Sequence, residues 1–444
     1  MKMGFIAMSG VRAHNDELTK FGLTLPGFIE RSQVIASLPS LGLLTLAGMT
    51  PNDIDMKYLE IDDIEKVDGL PGEFDVVAIS SYSAQIKEAY QLADRYRAAK
   101  VIVLLGGLHV TARPEEALQH ADSIIIGEGE PMWPRLVNDL IKKNLQPVYD
   151  SRKKTFDLSN APMPRFELLD PGLYNRLTVQ ATRGCPFNCE FCAASIRLSP
   201  KYRVKPVDKL INEIRKIKQI WDKPFIEFAD DNTFVNKKHS KALLQAVIPE
   251  RIRWFTETDI SVAADEELLG LLRESGCAQV LIGLESPSLK GLTGIETKSD
   301  WKAKQHDTYL SAIEKIQSHG ISVNGCFVLG LDGTGAESFK EVRDFVRESG
   351  LHEVQITIQT PFPGTPLYDR YKHDERLLKD EAWELCTLFD VNFRPKNMTV
   401  KELEDSFRWL AGELYNEQAT KARKSHFYRQ LRQVVIDERM SRTV

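Results

Sequence analysis

Six cysteines occur in the 444-residue chain, and three of them crowd into eight residues. The stretch reads T-R-G-C-P-F-N-C-E-F-C-A-A-S, spacing Cys185, Cys189 and Cys192 as C-x3-C-x2-C. In a cytoplasmic chain, thiols grouped this tightly bind metal or do redox chemistry more often than they form disulfides. A closed zinc site wants a fourth ligand close by, and no C-x2-C or H-x3-H pair follows. Three thiolates suit a cubane iron–sulfur cluster with one iron left open to a substrate or cofactor. On spacing alone, a loose zinc site or a chance grouping stays open. Cys277, Cys326 and Cys386 are scattered and read as small buried side chains.

The elements able to hold such a loop follow it directly. Residues 206–220 place Val207, Leu210, Ile211, Ile214, Ile217 and Ile220 on one helical face. Short β-branched or aromatic runs then alternate with helical stretches such as 264–275 and 307–319. Alternation of this kind predicts βαβ units and a parallel sheet. Counting 177–182, six strands fall within residues 177–365. Active groups of parallel barrels gather at the carboxyl ends of the strands. Those ends carry Glu227, Asp230, Asp231 and Asn232; Thr256, Glu257 and Asp259; Glu285 and Ser286; and Asn324 with Asp332. Capping of the next helix is the plain alternative for the Asp, Asn and Ser among them.

The first 144 residues are also α/β, with strands expected at 3–8, 55–61, 75–80, 100–107 and 122–127. Helices are expected at 32–48, 84–98, 114–120 and 131–143. Five strands alternating with helices predict an open doubly wound sheet with a crevice beyond its carboxyl ends. Ser80, Ser81 and Tyr82, then Gly106, Gly107 and His109, then Gly127, Glu128 and Gly129 stand at those ends. Glycines there let a large flat ligand or a phosphate approach the backbone. No G-x-G-x-x-G opens the first helix, which argues against a dinucleotide. Residues 21–45 are apolar enough to cover the crevice or to pack between domains. Residues 145–176, with Pro147, Pro162, Pro164 and Pro171, read as a connector across the barrel mouth. Beyond about 371 the pattern turns helical, at 379–388, 399–417 and 419–438. A small tail packed on the barrel is expected; its Trp383, Phe389, Phe393, Phe407 and Trp409 are alternative walls of a substrate site. Basic residues at 421–432 read as a solvated helix face.

The cysteine spacing, with Phe191 at the aromatic position of C-x3-C-x-aromatic-C, resembles the radical S-adenosylmethionine superfamily. The resemblance implies a partial (β/α)6 barrel of TIM type over 177–370. It also implies a 4Fe–4S cluster on Cys185, Cys189 and Cys192, whose open iron chelates S-adenosylmethionine and cleaves it to a 5′-deoxyadenosyl radical. Glu285 and Ser286 of G-L-E-S would lie against S-adenosylmethionine, and Asp230, Asp231 and Asn232 near its methionine end. Thr256 and Phe191 are further cofactor-binding candidates. L-G-G-L-H-V followed by I-I-I-G-E-G-E-P resembles the cobalamin-binding domains of such enzymes. The crevice residues Ser80, Ser81, Tyr82, Gly106, Gly107, Gly127, Glu128 and Gly129 then become cobalamin contacts. The D-x-H-x-x-G signature is absent, and S-G-V-R-A-H-N-D-E-L stands in its place. Many radical members lack it as well, so its absence is neutral between bound cobalamin and an empty domain. His14 and His109 read as hydrogen-bonded residues rather than ligands.

The net charge is −5, from 58 Lys and Arg against 63 Asp and Glu, which disfavours nucleic acid as the main partner. No run of about 18 apolar residues occurs, so no transmembrane segment is expected and the chain is read as cytoplasmic. The organisation expected is a cobalamin-binding-type domain over 1–144, a linker over 145–176, the barrel over 177–370 and a helical region over 371–444. The function expected is radical hydrogen abstraction from an unactivated carbon of a small molecule, leading to C-methylation through methylcobalamin. The alternative is a radical cyclase or dehydratase in which cobalamin has another role or none. A bare electron carrier is disfavoured, because it would ligate all four irons and has no use for a barrel. A flavodoxin- or ferredoxin-type donor is the family's usual electron source.

Overall fold

The computed structural model describes residues 1–14, 38–193 and 201–441. Residues 32–37 of the helix expected at 32–48 and most of the apolar 21–45 stretch lie outside the described residues, and the rest of that helix is present as Leu41–Gly48. Strands β1 (Lys2–Met8), β2 (Asp55–Ile61), β3 (Val76–Ser80), β4 (Ile102–Gly106), β5 (Ser123–Ile126) and β6 (Val148–Asp150) form a parallel sheet in the order β2-β1-β3-β4-β5-β6. That is a doubly wound order, whose switch point lies between β1 and β3. The five expected strands are present. The sixth comes from the stretch read as connector; three residues after Pro147 are too few to show an alternating pattern. Ser151 fixes it, its hydroxyl donating to the carbonyls of Ile126 (2.9 Å) and Glu128 (2.7 Å).

The second sheet uses β7 (Leu177–Val179), β10 (Phe225–Phe228), β11 (Arg253–Thr258), β12 (Cys277–Glu285), β13 (Ser322–Leu329) and β14 (Glu353–Ile358). The order is β14-β13-β12-β11-β10-β7, all parallel, with β7 and β14 as edges, so this is a partial barrel open on one side. A ribbon of β8 (Thr182–Arg183) and β9 (Arg203–Val204) brackets the cysteine segment. The amphipathic helix Val207–Ile220 buries Leu210, Ile211, Ile214 and Ile217, as its spacing requires. Asp265 caps Glu266–Glu274 by accepting from the Leu268 amide at 3.0 Å.

The tail departs from expectation at one place. Residues 379–388 form no helix beyond a single turn at Trp383–Leu385. Tertiary packing wins there: Ile358 N–H reaches the Leu388 carbonyl at 2.7 Å, and Leu378 N–H the Asn392 carbonyl at 3.2 Å. Trp383 leaves the barrel for the first domain, lying 5.3 Å from the His109 ring and donating to Glu116 at 3.1 Å. Val400–Tyr415, with a Thr399/Glu402 capping box, and Glu417–Ser441 are helical. Phe389, Phe393 and Phe407 are buried in this packing, while Trp409 stays exposed with Arg343 over its ring. No helix among the described residues is long and apolar enough to cross a membrane.

Candidate functional site

The cysteine loop is held by side chains from four separate places. Asp230, just past β10, accepts from the amides of Ala181 (2.8 Å) and Thr182 (2.9 Å), and Asp231 accepts from Gly184 at 2.7 Å. The D-D-N turn therefore fixes the strand-to-loop transition one residue before Cys185. Glu296 accepts from the amides of Asn188, Lys298 and Ser299, which with the Ser299 hydroxyl hold its carboxyl down at about 2 against the opposing effect of burial. Glu190 receives Arg370 in a two-point pair at 2.7 and 3.1 Å, and Arg370 also reaches Asp332 at 2.6 Å. Asp332, a polar strand end in the sequence, thus braces the loop from behind together with Arg376.

The three thiols stand within electrostatic reach of one another. Burial pushes the Cys185 thiol up to about 11 and the Cys189 thiol up to about 12, and a bound cation would favour their thiolate forms. Asn232 approaches Cys185 at 4.0 Å and donates to Asp259 at 2.8 Å. Among the described residues, no three His, Cys, Asp or Glu groups converge on a single ion. Three thiolates with no fourth protein ligand beside them match a cubane with one iron left open. The donor set fits an iron–sulfur cluster. Cys277 and Cys326 lie in the barrel instead, Cys277 against the Gln279 carbonyl (3.4 Å) and Cys326 against Gln355 (3.7 Å).

Glu285 ends β12 with a left-handed backbone, φ +63°. Its carboxylate receives Lys302 Nζ at 2.6 Å, and the same ammonium donates to the Gly283 carbonyl at 2.6 Å. Burial alone would lower the Lys302 pKa, but Glu285 and then Cys189 outweigh it and hold the group above the ordinary lysine range. Ser286 is buried and accepts from the Ser288 amide at 3.1 Å, the turn that opens the next helix. Asp230 Oδ2 is buried without a partner, and burial raises that carboxyl to about 7. The Thr256 hydroxyl is fully buried, shared with Thr233 at 2.5 Å and the Phe228 carbonyl at 2.9 Å, which makes it a brace between strands. Phe191 packs half-buried against the barrel core. Inside the barrel, Arg176 pairs with Glu227 at 2.5 Å, while burial and then Glu227, Asp231 and Asp230 raise Glu257 to about 8.

The crevice of the first sheet is a cleft with about 1260 Å³ of space not filled by atoms, part of it open to solvent. Ser80, Gly106, Gly107, Gly127, Glu128 and Gly129 line it, and Gln180, Arg183, Ala229 and Asp231 close it from the barrel side. Gly107 (φ +107°) and Gly127 (φ +85°) need the left-handed region, and a Cβ on Gly127 would meet Ser151 Oγ at 2.5 Å. This bare floor fits a broad flat ligand such as cobalamin. Ser81 and Tyr82 lie outside the cleft lining. Tyr82 leaves half its surface exposed yet is within electrostatic reach of Glu227 and Arg176, so it faces the barrel. His109 is fully buried away from the cleft, 3.1 Å from Ser83 Oγ and 3.4 Å from Glu116. His14 donates its amide to Asp390.

Lys302, Glu296, Arg183, Arg203 and Arg370 escaped the sequence reading. Each acts through a partner more than a dozen residues away, and only Arg183, beside the T-R-G-C run, carried a positional hint.

Residues 179–346 match the Radical SAM superfamily, residues 33–137 a B12 binding domain, and residues 365–443 a domain of unknown function, DUF4070. Bacteriochlorophyllide d C-12(1)-methyltransferase of Chlorobaculum tepidum is 29% identical over 392 residues, covering 86% of this chain and 84% of the relative. Hopanoid C-2 methylase of Rhodopseudomonas palustris is 25% identical over 385 residues, covering 82% of this chain and 70% of the relative. The fold is shared with the radical S-adenosylmethionine methyltransferase TsrM from Kitasatospora setae, solved with cobalamin and a 4Fe–4S cluster. That likeness has a TM-score of 0.63 at 13% identity and covers 84% of this chain and 78% of TsrM.

Proposed function

We propose that this chain, a radical S-adenosylmethionine superfamily protein with an amino-terminal B12-binding domain, is a cobalamin-dependent C-methyltransferase acting on a small molecule. The observation that carries the reading is a shared wall. Asp231 lines the glycine-floored cleft and at the same time holds Gly184, the residue before Cys185. The cleft and the cysteine loop are thus neighbours, as methyl transfer to a carbon activated beside the cluster requires.

When bound, the cluster supplies an electron for cleavage of S-adenosylmethionine, and cobalamin supplies the methyl group. Cys185, Cys189 and Cys192 would hold the cluster, with Asp230, Asp231, Glu296 and the Arg370–Glu190 pair fixing the loop that presents them. Glu285 and Ser286 would contact S-adenosylmethionine, Glu285 being oriented by Lys302. Asp230 Oδ2, buried on that side, would be a further polar contact. Ser80, Gly106, Gly107, Gly127 and Gly129 would form the cobalamin bed. Glu257, its carboxyl raised to about 8 by burial and the neighbouring carboxylates, offers substrate a donor inside the barrel when protonated. Gln180, Arg183, Ala229 and Asp231 close the cleft from the barrel side and would limit water there, which protects a radical from stray hydrogen donors. A cytoplasmic setting and a flavodoxin- or ferredoxin-type electron donor complete the reading.

The test is anaerobic purification and iron–sulfur reconstitution with hydroxocobalamin supplied. Iron, sulfide and cobalt are measured, then 5′-deoxyadenosine and S-adenosylhomocysteine after reduction. Stoichiometric cobalt with both nucleosides is the expected result. Deoxyadenosine without retained cobalt would replace methyl transfer by cobalamin-free cyclase or dehydratase chemistry. Neither cluster nor deoxyadenosine would end the reading.

A further inference from the structure

The cysteine loop hangs from the β8–β9 ribbon, in which Arg183 stands opposite Arg203. Both arginines reach out of the barrel to one carboxylate of the first domain. Arg183 Nη1 lies 2.8 Å from Glu128 Oε1; Arg203 Nη2 lies 2.6 Å from the same oxygen and its Nη1 3.0 Å from Oε2. Arg183 Nη2 also donates to Glu130 at 2.8 Å. Glu128 and Glu130 belong to the G-E-G-E turn after β5, which lines the cleft. Their side chains are only 6% and 9% exposed, and those of Arg183 and Arg203 19% and 15%. Two carboxylates meet two guanidiniums, so the buried charge is balanced. Charge-assisted pairs in such surroundings are short and directional, and a displaced partner leaves a buried ion uncompensated.

We infer that Glu128 is a positioning residue that couples occupancy of the cobalamin-type cleft to the geometry of the cluster loop. The inference rests on the function proposed above. A ligand pressing on Gly127–Glu130 moves the one carboxylate that both arms of the ribbon grip. The first arm leads into the loop, Arg183 standing two residues before Cys185, and the second, paired with it across the ribbon, holds that arm in place. Coupling of two sites is reciprocal, so a cluster that orders the loop changes the affinity of the cleft by the same factor.

The experiment titrates hydroxocobalamin by absorbance into the full-length chain under anaerobic conditions, before and after iron–sulfur reconstitution. For the parent, the cluster-loaded form binds at least about five-fold more tightly, the lower end of ordinary coupling. For Glu128→Gln both forms still bind, but the ratio falls to about one. Arg203→Gln, on the far arm of the ribbon, carries the same expectation if Glu128→Gln does not fold. The midpoint potential of the cluster provides a readout independent of turnover. It shifts on addition of hydroxocobalamin in the parent and does not shift in the variant. An unchanged ratio in the variants, or a ratio of one in the parent, overturns the coupling while leaving the proposed function intact. A parent that binds no cobalamin overturns the proposed function, and the coupling with it.

Discussion

Removing the ammonium of Lys302 tests how the G-L-E-S turn is held. Lys302 and Glu285 are 12% and 9% exposed in their side chains and meet at 2.6 Å, with a second bond from Lys302 to the Gly283 carbonyl. Lys302→Met keeps an unbranched stem of similar volume and deletes the charge, stranding the Glu285 carboxylate. Breaking a buried pair from one side costs about 3–5 kcal/mol. A hydrogen bond to a charged partner accounts for about 1.5–3 kcal/mol of that. We expect Lys302→Met to lose about 3 kcal/mol in urea unfolding of the cluster-free chain. The double variant Lys302→Met/Glu285→Gln should recover at least about 1 kcal/mol, because a neutral amide leaves no buried ion. Glu285→Gln by itself should cost less than Lys302→Met, since Lys302 keeps the Gly283 carbonyl. A Lys302→Met variant within about 0.5 kcal/mol of the parent, or a double variant no better than the sum of the singles, would refute the reasoning.

Three further outcomes follow from named contacts. The Glu257 carboxyl is raised to about 8 by burial and then by Glu227, Asp231 and Asp230, so the folded chain holds a proton that the unfolded chain releases. Stability from this group is complete below the ordinary glutamate range and is lost as pH rises towards about 8. Glu257→Gln should therefore match the parent near about pH 5 and exceed it above about pH 8 in thermal melts of the cluster-free chain; parallel profiles would contradict this. His352 is pushed down to about 4 by burial, with Lys424 and Arg423 adding to the effect, and faces Glu353 at 3.9 Å. Its contribution is complete above its unfolded value of about 6.5 and is lost as pH falls to about 4, a change of about 3 kcal/mol. His352→Phe should flatten that acid limb, and an unchanged slope in acid denaturation would count against it. Arg370→Met removes both bonds to Glu190, worth about 1.5–3 kcal/mol each at charged partners. Iron and sulfide retained after reconstitution should fall at least about five-fold, the factor that about one kcal/mol makes in an equilibrium. Full loading would show that the loop does not depend on this brace.

The chemistry of the loop was legible because it is local. Cys185, Cys189 and Cys192 sit within eight residues, and their spacing names a thiolate site before any folding is considered. Alternating strands and helices were equally visible, because burial on both faces of a parallel sheet writes near-continuous apolar runs into the chain. Strand order and the residues around each end were not. Val148–Asp150 became a sixth strand by pairing with Ile124–Ile126, not through any pattern of its own. Residues 379–388 lost their expected helix to packing of Trp383 against His109, more than 270 positions away. Glu128 read as a cofactor contact from its glycine-flanked turn; its two guanidinium partners lie 55 and 75 residues on. Residue type and spacing carry what a few adjacent side chains can do together. Which distant carboxylate meets which guanidinium depends on chain crossings that bring remote segments within 3 Å, and hydrogen bonds at that range have no signature in the order of residues.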